Sequence, residues 1–396
     1  MLKIKLNKRN FLLLLFFLIA MIPASVLAAE MGTADNHQTA LAQGSQIAVI
    51  LPLSGPFTEY GETLKRGYEL EFTKLQTNDT VSAAKYRVEY LDSEGDPEVA
   101  KTLINLIASE GDVVIASGTP LNATAWTASR ACEENGLPYL IVGADQDNLI
   151  NSESFFSFRL TQKGSSLKNM LTAFIKAQKP EIKTMGIIYG NSPCAINQAR
   201  QLQKLCIAKG IDLAIWEEWK EFSRSRDNFY DLLNIIKERR PQVLFLATNQ
   251  KIANRLWLQG RRLNIIPAAT ISIPINCITT LPEPDRNLIP ADQLPYATPW
   301  ATPWRTLSDA ENNSPRLSYL TAQGAAAARV IVNCLQKSLN LSAGAIVKSM
   351  ESTLIDTVYG QVKFTQGPSG HQNQLPWYLS SNDGENEGKV IFPVNR

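Results

Sequence analysis

The stretch that decides the fold is ILPLSGPFTEYGETLKRGYEL, residues Ile50 to Leu70. It begins with an apolar run and turns at Ser-Gly-Pro, residues 54–56. Apolar residues then recur at helical spacing between Glu59 and Leu75. A strand that passes through a short polar turn into a helix is the first half of a βαβ unit. The stretch therefore predicts an α/β protein with a polar turn at the carboxyl end of its first strand.

The same alternation of strand and helix continues along the chain. Four more strands are predicted at YRVEYLD, DVVIAS, LPYLIVG and FFSFRLT, and a second series at TMGIIYG, DLAIW, PQVLFLA and PAATISI. The pair Asp96-Pro97 predicts a helix start, with a capping residue followed by proline at the first helical position. Strands separated by helices favour parallel, doubly wound sheets, and 396 residues suit two such lobes.

The alternation breaks between Pro282 and Trp304, a proline-rich segment with a tandem ATPW. The composition favours an irregular surface connection, and the alternative is a loop that lays aromatic side chains over a ligand cleft. Two helices, Leu320–Leu339 and Ala343–Met350, and the closing strands VYGQVKF, LPWYLSS and KVIFP are predicted after it.

The amino terminus has the pattern of a secretory signal. Four basic residues precede the apolar run Phe11 to Ile22, and small residues follow around Ala28 and Ala29. The apolar run is shorter than the ~20 residues that a membrane span needs. We therefore predict a signal peptide over residues 1–29, a polar leader over 30–44 and export to the periplasm. No cysteine lies near the cleavage site, so a lipid anchor is not indicated.

Charge and cysteine content exclude several classes of protein. The chain has 39 basic and 37 acidic residues and no basic run with interleaved aromatics, which disfavours nucleic-acid binding. Its five cysteines occur singly, without a CxxC pair, so no metal or thioredoxin-like site is predicted and most are expected to be buried free thiols. We predict no cofactor.

Catalytic constellations are also missing from the sequence. Only two histidines occur, His37 in the polar segment after the signal and His371 in a predicted loop rich in glycine, proline and serine. Neither is predicted at a strand end, and there is no G-x-S-x-G motif. The turn at residues 54–56 is neither G-x-G-x-x-G nor a Walker motif, and Pro56 lacks the amide that a phosphate cradle would use. We therefore predict a binding protein and not an enzyme.

In a doubly wound protein, ligands bind outside the carboxyl ends of the parallel strands. Most of the predicted strand ends are short, small and polar, and each leads towards a helix start that offers free amides. They lie at Leu53–Tyr60, Ser117–Thr124, Gly143–Asp147, Tyr189–Ala195 and Thr248–Lys251. Two lobes whose strand ends face each other would enclose a ligand cleft.

The opening stretch resembles the signature of the type I periplasmic solute-binding proteins, in particular the leucine/isoleucine/valine-binding group of ABC importers. Five further segments resemble that family in the same order, so the resemblance covers residues from about 47 to 393. They are DSEGDPEVAKTLINLI, DVVIASGTPLNATAW, FSFRLTQKGSSLKNML, GIIYGNS and VYGQVKFTQG.

The resemblance implies two α/β lobes joined by three crossings, with lobe 1 at residues 45–161 and 278–355 and lobe 2 at 162–277 and 356–396. It implies that the lobes close by hinge motion on an amino acid or similar small polar solute and then dock on an ABC permease in the inner membrane. A monomer is expected. The alternative is a periplasmic sensor of the same fold that signals to a membrane receptor or regulator, and an exported α/β enzyme is the weakest reading.

The resemblance also implies a set of ligand-binding residues, carried over position by position. They are Ser54, Tyr60, Asn122, Ala123, Gly143, Ala144, Asp145, Cys194, Asn249 and Gln250. Asn122 stands where the family has a serine that meets the ligand carboxylate, and its amide can still donate. Cys194 replaces an aromatic residue, and Asn249 and Gln250 stand near the acid that pairs with the ligand ammonium group.

A buried ammonium group without a carboxylate is unfavourable, so either the ligand is not a plain amino acid or another acid has the role. Asp145 is the candidate, with Asp147 behind it, and the alternative is that both acids are solvated loop and capping residues. Tyr60 either packs against its own helix start or forms a wall of the cleft. For Cys194 the alternative to a cleft residue is a buried structural thiol.

Overall fold

The computed structural model describes the chain from Gln46 to Phe392 with gaps. The described residues are 46–77, 86–177, 181–191, 193–219, 229–248, 250–267, 269–272, 293–298, 319–368, 370–373, 375, 378–382 and 389–392. The predicted signal peptide and polar leader lie outside this part. Within the described residues, no helix combines the length and the apolar composition that a membrane crossing requires.

The described elements alternate as predicted. The strands are β1 (Gln46–Leu51), β2 (Arg87–Asp92), β3 (Val113–Gly118), β4 (Tyr139–Ile141), β5 (Ser157–Arg159), β6 (Thr184–Gly190), β7 (Asp212–Trp219), β8 (Val243–Ala247), β9 (Ala269–Ser272), β10 (Gln293–Thr298), β11 (Leu354–Thr357), β12 (Gly360–Thr365), β13 (His371–Asn373), β14 (Tyr378–Asn382) and β15 (Lys389–Phe392). The α-helices are α1 (Thr58–Thr77), α2 (Pro97–Glu110), α3 (Asn122–Asn135), α4 (Gly164–Ala177), α5 (Pro193–Lys209), α6 (Tyr230–Arg239), α7 (Gln250–Arg262), α8 (Tyr319–Lys337) and α9 (Ala343–Glu351).

The strands form two sheets, which confirms the predicted α/β class with doubly wound parallel sheets. The first has the order β11-β12-β13-β5-β4-β3-β1-β2 and the second β15-β14-β10-β9-β8-β6-β7. From β2 to β13 and from β7 to β10 neighbouring strands are parallel. The two pairs at the β11 edge of the first sheet and the two at the β15 edge of the second are antiparallel. The parallel parts have helices on both faces, as parallel sheets require.

Alternation along β1 shows how the first sheet buries both faces. Val49 and Leu51 belong to the core beneath α1, α8 and α9, whereas Ala48 and Ile50 belong to the core beneath α2 and α3. Successive side chains of a strand point to opposite faces, so a continuous apolar run fits this position. In the second sheet α4 and α5 cover one face and α6 and α7 the other.

Helices α1 and α8 approach each other closely through two glycines. A Cβ atom on Gly67 would overlap the carbonyl oxygen of Thr321, and one on Gly324 would overlap that of Leu64. The buried carboxylate of Glu71 pairs with Arg329 across the same contact. Residues that are more than 250 positions apart in sequence therefore form one wall of the first core.

The sheet pairings differ from the predicted lobe boundaries in two places, although the two-lobe division itself stays a prediction. Strand β10 belongs to the second sheet, where the boundaries placed residues 278–355 in lobe 1. Strands β12 and β13 belong to the first sheet, where the boundaries placed residues 356–396 in lobe 2. The pairing partners of such short strands are set by contacts distant in sequence, which local patterns do not report.

Two smaller predictions are corrected by the same pairings. Residues 293–298 of the proline-rich segment form a strand and not an irregular connection, since β10 pairs with β9 and β14; the rest of that segment lies outside the described residues. His371 lies in β13 and not in a loop. In β13 its ring stacks on Phe158 and its Nε2 contacts Glu351 at 3.1 Å.

Three of the five cysteines, Cys132, Cys206 and Cys334, are buried free thiols, as predicted.

The predicted cap of α2 is confirmed, and it carries a testable consequence. Asp96 Oδ1 accepts the backbone N–H groups of Glu98 at 2.7 Å and Val99 at 3.2 Å. We expect Asp96→Ala to lower the free energy of unfolding by about 1 kcal/mol, since these amides lose their partner. Urea unfolding measures the change. Asp96→Asn keeps an acceptor and is the matched control, so an equal loss in both variants would contradict the capping argument.

Candidate functional site

Each sheet has a point where the chain reverses its winding direction. In the order β2-β1-β3, the chain leaves β1 to form β2 on one side and then crosses back past β1 to form β3 on the other side. The order β7-β6-β8 shows the same reversal around β6. The loops at the carboxyl ends of the two neighbouring strands at each reversal, β1 and β3 or β6 and β8, therefore separate and leave a crevice between them. In the first sheet this crevice lies between the loops that follow β1 and β3.

The loop after β3 is held tightly against β1. Gly118 has φ +113°, and a Cβ atom there would overlap the carbonyl oxygen of Ile50. Thr119 follows with φ 53°, a conformation that β-branched residues rarely adopt, and its N–H donates to the same carbonyl at 2.8 Å. Its hydroxyl also contacts the hydroxyl of Tyr139. These contacts fix the position at which α3 begins, and backbone strain of this kind is typical of functional sites.

Helix α3 presents its amino terminus at this crevice without a side-chain cap. Leu121 occupies the capping position and makes no side-chain hydrogen bond to the first turn. Asn122 is half-buried and Ala123 is exposed. The amides of a first helical turn have no partner within the helix and favour an anion. Asn122 and Ala123 therefore start a helix that can accept a carboxylate.

Asn122, the first residue of α3, makes three hydrogen bonds to the loop that follows β4. Its Oδ1 accepts the N–H groups of Asp145 at 2.9 Å and Gln146 at 3.0 Å, while its Nδ2 donates to Asp145 Oδ1 at 3.0 Å. The two predicted site residues Asn122 and Asp145 are thus in direct contact, 23 positions apart in sequence.

The carboxyl group of Asp145 is half-buried, and this sets its electrostatics. Burial raises the pKa of Asp145, and the hydrogen bond from Asn122 and the charge of Arg159 only partly offset the increase. Tyr60 is 5% exposed, and its pKa is raised by burial and then by the nearby charge of Asp145. Tyr60 therefore packs in the core next to the helix start and stays within electrostatic reach of Asp145.

Arg159, at the end of β5, is a site neighbour that the sequence analysis did not identify. Its side chain is fully buried, its Nε donates to Gln372 Oε1 at 2.5 Å and its Nη1 donates to the carbonyl of Gln146 at 2.5 Å. Burial lowers its pKa to about 10, while Asp147 and Asp145 oppose the change. A charged residue inside the apolar run FFSFRLT was the signal that could have found it.

Ser54 is exposed in the turn after β1, and Asp92 at the end of β2 organises that turn. Asp92 Oδ1 accepts the N–H groups of Leu53 at 2.8 Å, Ser54 at 3.2 Å and Glu94 at 2.8 Å. Although burial opposes ionisation, hydrogen bonds from Ser54, Glu94 and Leu53 lower the pKa of Asp92. Asp92 thus shapes one side of the crevice, a role that its strand-end position alone did not reveal.

The residues that follow β4 lie deeper. Gly143 has φ +95°, and a Cβ atom there would lie 2.8 Å from Cβ of Pro120. Its N–H donates to Thr161 Oγ1 at 2.7 Å. Ala144 is 1% exposed and packs in the core beneath α2 and α3. These two residues carry the chain closely past the β3 loop and bring Asp145 to the crevice.

The predicted residues of the second sheet are described in part. Pro193, the first residue of α5, precedes Cys194, whose backbone lies in that helix, and Gln250 is the first residue of α7. The side chains of Cys194 and Gln250 lie outside the described part of the chain, and so does the whole of Asn249. Among the described residues, no group of three or more His, Cys, Asp or Glu is arranged to hold a metal ion.

Comparisons with known proteins identify what this arrangement is similar to. A family model described as periplasmic binding protein matches residues 45–386. A search of curated proteins found no match.

Several solved structures share the fold. An amino acid ABC transporter substrate-binding protein from Pseudomonas fluorescens Pf-5 is 15% identical, with a TM-score of 0.66 over 87% of this chain and 94% of the other. The branched-chain amino acid transporter substrate-binding protein LivJ from Streptococcus pneumoniae, in complex with isoleucine, is 15% identical, with a TM-score of 0.64 over 88% and 99%. A solute-binding protein of an ABC transporter from Rhodopseudomonas palustris HaA2, in complex with p-hydroxybenzoic acid, is 13% identical, with a TM-score of 0.65 over 88% and 96%.

Proposed function

Because this chain belongs to the periplasmic binding protein family, we propose that it is the substrate-binding component of an ABC importer. It binds an amino acid or similar small polar solute without chemical turnover, delivers it to an inner-membrane permease and is exported by its amino-terminal signal. Two structural relatives support these ligand classes, since one was solved with isoleucine and the other with p-hydroxybenzoic acid.

The observation that carries the proposal is that one crevice has a group that favours an anion next to a group that favours a cation. The uncapped start of α3 favours an anion, and Asp145, bonded to the first residue of that helix, offers a carboxylate to a cation. An α-amino acid has a carboxylate and an ammonium group bonded to the same carbon atom. It therefore satisfies both groups, whereas an aromatic acid satisfies only the first.

We expect Asp145→Asn to abolish the thermal stabilisation that an amino-acid ligand gives, because a buried ammonium group loses its counter-charge. A thermal-shift screen of the wild type against amino acids and aromatic carboxylic acids first identifies the ligand, and the variant is then measured with it. Stabilisation by an amino acid that stays unchanged in Asp145→Asn would remove the counter-charge role. Stabilisation by aromatic acids alone would assign the ligand to that class.

The raised pKa of Asp145 gives the same experiment a pH signature. A carboxyl group with a raised folded-state pKa stabilises the ligand-free protein below its unfolded pKa, and this stability is lost as pH rises through the folded value. A cationic ligand group binds the ionised carboxylate. Its affinity should therefore increase as pH rises through that folded pKa and then level off, and any residual binding by Asp145→Asn should lack this pH dependence.

A further inference from the structure

A second polar cluster lies beside Tyr60, formed by Gln162, Gln323 and Tyr359. All three side chains are buried, with exposed fractions of 1%, 0% and 1%. The Tyr359 hydroxyl donates to Gln162 Oε1 at 2.7 Å and accepts from Gln323 Nε2 at 3.2 Å. One hydroxyl is therefore shared by two amides that come from the crossing after β5 and from helix α8.

Each amide has one polar atom left over. Gln162 Nε2 and Gln323 Oε1 are buried and have no hydrogen-bond partner within the described part of the chain. Rotating both amides by 180° would exchange the roles but would again leave one donor and one acceptor unpaired, because a single hydroxyl gives one hydrogen bond and takes one here. The imbalance thus does not depend on how the amides are assigned.

Buried polar groups without partners are rare, and each calls for a missing partner. Such a partner must accept a hydrogen bond from one amide and donate one to the other. A carboxylate only accepts and an ammonium group only donates, so neither alone satisfies both, and the proposed function already assigns these two ligand groups to the start of α3 and to Asp145. An aliphatic side chain satisfies neither. A hydroxyl or a carboxamide satisfies both.

The cluster adjoins the crevice described above. Tyr60 and Tyr359 belong to the same core, and the charge of Asp145 acts on Tyr60. Gln162 lies in the crossing that leads to α4, whose first N–H, on Gly164, donates to the carbonyl of Asp145 at 2.8 Å. The unpaired donor of Gln162 therefore lies on the segment that contacts Asp145, and the hydroxyl of Tyr359 connects Gln323 to Gln162.

We propose that Gln162 and Gln323 select a ligand whose far end carries a neutral hydrogen-bonding group, a hydroxyl or a carboxamide. This inference rests on the proposed function, because it assigns the class of solute that the same site binds. It predicts that a purely aliphatic ligand is discriminated against, since it would leave both amides unpaired in a dry site.

Matched ligand pairs test the proposal in the wild-type protein by calorimetric titration. The pairs differ by one neutral polar group: threonine against valine, glutamine against methionine, and p-hydroxybenzoate against benzoate. In each pair that binds, we expect the polar member to bind at least about tenfold more tightly. Equal or tighter binding of the apolar member would overturn the inference and leave the proposed importer function standing. Failure of all six compounds to bind would instead count against both.

Two variants show whether these amides cause the preference. Gln162→Met and Gln323→Met keep the length of the side chain and remove its polar atoms, and each should lower the preference, since one of the two unpaired atoms is gone. In the double variant no partner is required, so the preference should fall to less than about threefold. As a control, Gln361→Met changes an exposed glutamine of β12 and should keep the full preference. A preference retained in both buried variants would overturn the assignment. Apolar ligands that bind the wild type as well as polar ones would indicate that a buried water is the missing partner.

Discussion

Replacing Gly324 by alanine is expected to lower the free energy of unfolding by about 3 kcal/mol or more, at the upper end of overpacking effects. The added Cβ atom would overlap the carbonyl oxygen of Leu64 and lie 3.1 Å from the N atom of Tyr68. Both atoms belong to the backbone of α1, so no side-chain rotation can relieve the clash. The better helix propensity of alanine returns only about 1 kcal/mol. Guanidinium unfolding followed by circular dichroism measures the loss.

Gly344 provides a matched control on the neighbouring helix α9. It is exposed, and a Cβ atom there would meet nothing within 4 Å. Gly344→Ala should therefore leave stability unchanged or raise it by up to about 1 kcal/mol. If Gly324→Ala behaved like Gly344→Ala, helices α1 and α8 would have to lie further apart than described.

Replacing Arg159 by methionine is expected to cost about 3 kcal/mol of folding free energy, since it removes the charged donor of two hydrogen bonds, one of them to the buried Gln372. Gln372 Oε1 and the carbonyl of Gln146 each lose a hydrogen bond of 2.5 Å. Burial of the guanidinium is itself unfavourable, as its lowered pKa of about 10 indicates. We still expect a net destabilisation, because methionine removes the unfavourable burial of the charge but leaves the two acceptors without their hydrogen-bond donor.

A double-mutant cycle with Gln372→Met separates the two contributions. If the two side chains act as a pair, the double variant should be less destabilised than the sum of the single variants by at least about 0.5 kcal/mol. Arg159→Met should also weaken binding of a cationic ligand at acidic pH, because the charge that lowers the pKa of Asp145 is gone. An additive cycle would mean that Gln372 does not depend on Arg159.

The site was predictable where its residues follow strands. The ranges Ser117–Thr124 and Gly143–Asp147 were predicted because parallel strands bring their carboxyl ends together. The family resemblance singled out Asn122 and Asp145 within them, and the structure brings these two side chains into contact at 3.0 Å. Gln162, Gln323 and Tyr359 were not identified. Gln323 lies in an alanine-rich helix and Tyr359 in a predicted strand, and neither local pattern indicates that they meet across 36 positions of sequence. Their roles follow from burial, which depends on the whole core.

The sequence by itself determined the alternation of strands and helices, the caps and the parallel sheets, because these follow from the side-chain periodicity and turn chemistry of neighbouring residues. Only the tertiary structure decided that β12 and β13 join the first sheet and that β10 joins the second. It also placed Gln372 beside Arg159, 213 positions away. The physical reason is that strands of three to six residues carry little pairing information of their own, so long-range burial and hydrogen bonding select their partners.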